Sequence, residues 1–270
     1  MIEAPSRRDR VRAATTQEIK QTARRLLVSQ GSEAVSLRAI ARDMGMTAPA
    51  LYRYFDSHEE LIKHVVADIF TELAAELREK IDEASMAITD MASDDALTAK
   101  LIAACRAFRG WALAHRPEFG MIFGSPLPGL ELVHDDPVME CGFQFGRVFL
   151  DLFTELWQRR PFDVPEPAQI APALLPQLEH YRDMVGSDLP IGAMQTFLRC
   201  WILLYGAVCL EVFGHLRFAL EDPSPMFELM LSDLAPMVGL RYPQAGTNTE
   251  RTAMLHPRPT AALASLPRET

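Results

Sequence analysis

Thr47, Tyr52, Arg53 and Tyr54 place a hydroxyl, two phenols and a guanidinium in one short run, spaced by the small residues Ala48 and Ala50. With no paired acid and base among them, these groups suit contact and not catalysis. A hydroxyl beside a helix N-terminus can hold a phosphate together with the backbone N–H groups. A tyrosine ring meets either a phosphate or a thymine methyl, and an arginine supplies either charge or the planar fork that matches guanine. Small neighbours let the backbone come close to base edges. Elsewhere the spacings that carry catalysis are absent: GxSxG, HExxH, P-loop and dinucleotide-binding patterns do not occur. Asp94/Asp95 and Asp135/Asp136 fall in polar loops as solvated charge. The cysteines at 105, 141, 200 and 209 form no CxxC pair and read as buried thiols. His115 and His215 read as capping or surface residues. No enzyme, cofactor or metal is expected.

The contact run sits on elements with clear local signals. Residues 36–55, SLRAIARDMGMTAPALYRYF, read as helix, glycine turn, helix. Ser36 is placed to cap a helix over Leu37–Met44, whose inner face is Leu37, Ile40, Ala41 and Met44. Gly45 supplies the left-handed turn, and Met46 is placed to fill the corner beneath it. Thr47 caps the second helix, Thr47–Phe55, with Pro49 in its first turn, where a missing N–H costs nothing. A preceding helix is expected over Arg10–Gln30, on a stripe of Val11, Ala14, Ile19, Ala23, Leu26 and Leu27. Ser57 and Glu60 form a capping-box pattern. It heads a helix on which Leu61, Val65, Ile69, Leu73, Leu77 and Ile81 repeat every four residues, about 25 residues and roughly 38 Å long.

Helical periodicity continues over Ala96–His115, Pro117–Phe123, Val138–Arg159, Leu174–Val185, Ile191–Leu220 and Pro225–Met237, and no strand pattern survives. Loops are expected over 85–95, Gly124–Asp136 and Arg160–Pro172. The fold class is therefore all-α. Domains are expected over 1–56 and 57–242, with a tail over 243–270 that lacks periodicity and reads as disordered.

Net charge is −9, which taken alone argues against a nucleic-acid partner. Its distribution says otherwise. Residues 1–55 carry +5 and the remainder −14, an asymmetry that points to a localised anionic partner. Arg7, Arg8, Arg10 and Arg12 read either as a solvated tail or as an arm reaching a minor groove. The N-terminus lacks an apolar signal core and no run of eighteen apolar residues occurs, so a cytoplasmic protein without a membrane span is expected.

The run IARDMGMTAPALYRYFDSHEEL, within Thr16–Leu61, resembles the N-terminal domain of TetR-family transcriptional regulators. HRPEFGMIFGSPLPG (115–129) and WILLYGAVCLEVFGHL (201–216) resemble one C-terminal subgroup of that family. The resemblance implies an N-terminal three-helix helix-turn-helix DNA-binding domain joined to a C-terminal helical ligand-binding and dimerisation domain. It implies a homodimer on a palindromic double-stranded DNA operator, most often a repressor, released by a small-molecule effector. Carried over by position, the DNA contacts are Ser36, Arg38, Thr47, Ala48, Pro49, Ala50, Tyr52, Arg53 and Tyr54. At the head of the next helix the family commonly has a lysine on a phosphate. Here His58 stands there, so that contact is expected to depend on pH.

For the C-terminal half, Trp111, Phe119, Ile122, Phe123, Phe149 and Trp201 are the candidate lining of a mostly apolar effector pocket, with packed core as the other reading. The helix at Ile191–Leu220 is apolar nearly all round, with Gly206 and Gly214 on one stripe, and pairs with Leu174–Val185 as the expected dimer interface. A helical carrier or enzyme for a small apolar molecule is the competing class, which the basic N-terminal segment disfavours.

Overall fold

The computed structural model describes residues 6–31, 34–86, 94–124 and 137–243, which form ten α-helices with no strand among the described residues. The expected tail, and most of the loops expected at 85–95 and Gly124–Asp136, lie outside the described residues.

Helix α1 (Arg7–Gln30) starts three residues before the expected Arg10. Ser6 accepts the Asp9 N–H at 3.2 Å, and the Asp9 carboxylate returns bonds to the Ser6 N–H and hydroxyl, so a capping box makes the arginine-rich segment helical instead of an arm. The stripe buries only from Ile19 onward, through Ala23, Leu26 and Leu27; Val11 and Ala14 are exposed. Helix α2 (Leu37–Asp43) begins with the Ser36 hydroxyl accepting the Ala39 N–H at 3.2 Å. It ends at Gly45, whose φ of +65° lets the Met46 N–H reach the Ala41 carbonyl at 2.8 Å.

Helix α3 is one regular turn, Ala48–Leu51. Tighter turns, with the Arg53 and Tyr54 N–H groups on the carbonyls of Ala50 and Leu51, carry it on to Phe55. The Thr47 side chain makes no capping bond, contrary to expectation. Helix α4 (His58–Met86) spans 29 residues and buries ten of them, from Leu61 to Ile81. Its capping box is shifted by one residue. The Ser57 hydroxyl accepts the Glu60 N–H at 3.0 Å, while the Glu60 carboxylate reaches the Asp56 N–H instead.

In the C-terminal half α4 lies against α5 (Asp94–Ala114) and α7 (Pro137–Arg159), with α6 (Arg116–Phe123) between α4 and α1. Helix α8 (Leu175–Met184) covers the first part of α9 (Ile191–Val212), and α10 (Ser224–Leu234) packs on α9. By length and composition α9 alone among the described helices is apolar enough to cross a membrane. It packs on α5, α8 and α10 with one side and leaves another side exposed. It stops eight residues short of Leu220, because Gly214 (φ +73°) turns the chain and the His215 N–H bonds the Leu210 carbonyl at 2.8 Å. Gly214 is thus a helix stop and not a small residue on a packing stripe.

One ion pair fixes α9 to α5 and α10. Arg109 of α5 donates to both carboxylate oxygens of Glu211 at 2.5 and 2.6 Å and to the Ser224 hydroxyl at 2.9 Å, and it lies over the Phe227 ring. Both charges are largely removed from water. Truncating one member of such a pair leaves the other buried and uncompensated, at a cost of about 3 kcal/mol. Glu211→Ala is therefore expected to lower unfolding stability by about that amount in urea titration, and a loss within error would refute this account.

Candidate nucleic-acid interface and interior cavities

Six of the ten basic side chains in residues 1–55, Arg7, Arg8, Arg10, Arg38, Arg42 and Arg53, have no ion-pair or hydrogen-bond partner among the described residues. The others are used internally. Lys20 pairs with Asp68 at 2.6 Å, Arg24 with Glu72 and Glu118, and Arg25 with Asp43. Arg12 donates to the Arg53 carbonyl at 3.1 Å and sits over the Tyr54 ring, pinning the end of the α3 turns against α1. Arg7, Arg8, Val11, Arg12, Arg53 and Tyr54 line one basic concavity.

The expected contact residues divide by exposure. Ser36, Arg38, Thr47, Pro49, Tyr52 and Arg53 are exposed, with Ala48 and Ala50 half-buried between them. Thr47 and Tyr52 keep their hydroxyls free of described protein partners. Tyr54 is half-buried against the core, so its ring braces the reader as well as bordering it. His58 is exposed as well, and its Nε2 meets the Val35 carbonyl at 2.6 Å; because a carbonyl only accepts, Nε2 carries the proton. That bond ties the head of α4 to the turn before α2 and turns the imidazole of this exposed residue back along the surface, where a lysine would extend outward.

Helix α1 is joined to the C-terminal half through α6. Glu118, buried in the first turn of α6, receives Arg24 of α1 at 3.2 Å. At the other end the Tyr205 hydroxyl of α9 donates to the Phe123 carbonyl at 2.7 Å, and Arg116 donates to the Val212 carbonyl at 2.8 Å.

Two pockets, neither of them fully enclosed, occupy the C-terminal half. The smaller, about 90 Å³, lies between α5, α7, α9 and residues 231–240, and the larger, about 340 Å³, between α4, α7, α8 and α9. Of the expected lining, Phe149 faces the smaller cavity, Phe123 the larger and Trp201 both. Trp111, Phe119 and Ile122 line neither. Phe119 is wholly buried among Phe108, Phe123 and Phe213, and Trp111 is buried with its ring stacked on His115, so both are core; Ile122 packs against that core. The walls missed from sequence include Leu101, Ile102, Cys105, Phe197, Cys200 and Leu204. Helical spacing on α5 and α9 was the available signal.

Comparison with known proteins agrees with these elements. The family profile described as bacterial regulatory proteins, tetR family, matches residues 19–65, and that of the tetracyclin repressor-like C-terminal domain matches residues 101–234. The HTH-type transcriptional regulator Rv1816 of Mycobacterium tuberculosis is 30% identical over 216 residues, which cover 78% of this chain and 86% of that protein. The chain belongs to the TetR family of transcriptional regulators. Regulator Mb1846 of Mycobacterium bovis matches to the same extent. The crystal structure of the regulatory protein SCO4313 superposes with a TM-score of 0.65 at 29% identity, covering 86% of this chain and all of that one. A Rhodococcus sp. RHA1 protein of unknown function, TM-score 0.55 and 20% identical, shares the fold.

In this TetR-family regulator the helix-turn-helix is thus the DNA-binding domain. Its cavity thiols are chemically quiet. Burial pushes Cys105 up to about 12 and Cys200 up to about 11, so both stay protonated and unreactive near neutrality. Iodoacetamide at pH 8 is expected to label the two in the folded protein more than about tenfold slower than after denaturation, read by mass spectrometry. Equal rates would contradict the partial burial of the two thiols.

Proposed function

We propose that the protein is a homodimeric, effector-responsive repressor that sets the helical turn Thr47–Phe55 of each protomer into a major groove of a palindromic operator. The observation that carries the reading is the set of unpartnered cations, Arg38 and Arg53 foremost, around the free hydroxyls of Thr47 and Tyr52. Two such readers occupy half-sites about 34–36 Å apart, one helical turn of DNA.

The dimer reading is supported by apolar side chains left open to solvent. On α9, Ile202, Leu203, Leu210 and Phe213 are exposed along one stripe with Gly206, where an added Cβ meets nothing. Met226 and Leu229 are exposed on the adjoining α10. Helix α8, the expected partner of α9, instead turns Gln177, Glu179, His180 and Asp183 outward. The dimer face is therefore assigned to α9 and α10, which form a four-helix contact with their copies.

A small, mostly apolar effector in the cavities acts by favouring one of two arrangements of α4 and α6. Because α6 touches α9 through Tyr205 and α1 through Glu118, a shift of the cavity wall changes the spacing of the two readers.

Arg38→Ala and Arg53→Ala are each expected to weaken binding to a DNA enriched from a random pool. Each should also lower the slope of log affinity against log salt by about one. Tyr52→Ala should weaken binding as well, and unchanged binding in all three would sink the reader assignment. Gly206→Arg and Leu203→Glu are expected to yield monomers by light scattering with an unchanged helical spectrum. A dimer that survives both would remove α9 from the interface.

A further inference from the structure

The two cavities meet at one pair of side chains. Phe197 and Trp201, one turn apart on α9, line both. The smaller space has no charged group in its wall, and its one hydroxyl, that of Thr98, belongs to a residue already engaged elsewhere. A dry apolar cavity of about 150 Å³ is enough to take benzene. At about 90 Å³ this one takes a few carbons and nothing polar.

The larger space differs in kind. At about 340 Å³ it has the size of a small-molecule site. Glu140, Gln144 and Arg147, all exposed, follow one another along its α7 wall, where the pocket opens to solvent, and half-buried Tyr181 enters from α8. Two further wall positions on α7 are Gly142 and Gly146. Neither has a positive φ. A Cβ at 146 would meet nothing within 4 Å, and one at 142 would meet only the Phe70 ring at 3.9 Å. Glycine weakens a helix interior, and neither backbone nor packing requires it here. What the missing side chains preserve is open volume.

We infer that the two cavities form one bipartite site for a monocarboxylate amphiphile, divided by Trp201 and Phe197, with the head at Arg147 and the hydrocarbon in the smaller space. This rests on the effector reading above and specifies its chemistry. Arg147 spends one N–H on the Val185 carbonyl at 3.1 Å and keeps the rest of its fork. Glu140 stands two turns away, about 10.5 Å along the axis, and its carboxylate is occupied by the Gln144 amide at 2.7 Å. The Arg147 end of the stripe therefore favours an anion, while the far side of Trp201 favours methylenes. Entry of the tail requires the indole to swing from its stack on Tyr205, and Tyr205 is the residue that holds the end of α6.

The test titrates the full chain with straight-chain monocarboxylates from hexanoate to tetradecanoate, and with the matching primary alcohols, by calorimetry and tryptophan fluorescence. Affinity is expected to rise about fourfold per methylene and then level off once the smaller cavity is full. Carboxylates should bind more tightly than alcohols of equal length. Arg147→Gln should remove that preference and keep the length dependence. Cys105→Phe, or the milder Cys200→Leu, should bring the plateau to shorter chains without changing hexanoate. Gly146→Phe should abolish binding, whereas Gly146→Ala retains the fold and lowers affinity only modestly. Affinity that is flat with length, carboxylates no better than alcohols, or a plateau unmoved by both cavity-filling variants each overturns the bipartite site. If binding follows the pattern and enriched DNA is not released, the effector reading fails and the site stands.

Discussion

The structure depends on one continuous hydrophobic core threaded by α4. Its buried side chains begin at Leu61 and Ile62, packed with the reader's Leu51 and Phe55, and end at Leu77 and Ile81 among α5 and α7. The same cluster runs unbroken from Ile19 in α1 to Leu240 near the end of the described chain. Close-packed interiors pass displacement to their neighbours instead of absorbing it. A change at one end of α4 therefore has to be accommodated at the other. That constraint ties the packing of the N-terminal helices to that of the C-terminal half.

Charge is laid over this core in two roles. Lys20, Arg24 and Arg25 are spent inside the fold, joining α1 to α4, α6 and α2. The arginines left over lie on α1, α2 and the α3 turns, which share one end of the molecule. A chain of net −9 can thus present a basic face, and its acidic remainder repels DNA from the other surfaces.

The helix-turn-helix was legible in sequence because its signals are local. Ser36, Gly45, Pro49 and Ser57 each act on backbone within four residues of themselves, and the structure places each in a cap, a turn or the first turn of a helix. Thr47 and Glu60 show the limit, since which N–H a capping side chain takes depends on sub-residue geometry. The cavities were less legible. An aromatic at helical spacing is equally a wall and a core residue, and only the fold separates Phe149 from Phe119. Part of the smaller cavity is closed by Leu231, Leu234, Val238 and Leu240, which come from far along the chain; no local pattern announces that meeting. Gly214 carried the right signal for a helix stop, but the apolar residues after it imitate continuation.

The bond from His58 to the Val35 carbonyl bears on how such regulators can be recombined. The junction between α3 and α4 looks like a natural seam, since the chain turns there and the reader ends. Yet the seam is crossed by an imidazole reaching back 23 residues, and by Leu61 and Ile62 packing into the same core as the reader. A chimera joined at Asp56 would pair a histidine from one parent with a carbonyl turn shaped by the other. The unit that moves intact between proteins is the reader together with the first turns of α4, and the workable splice lies inside that helix.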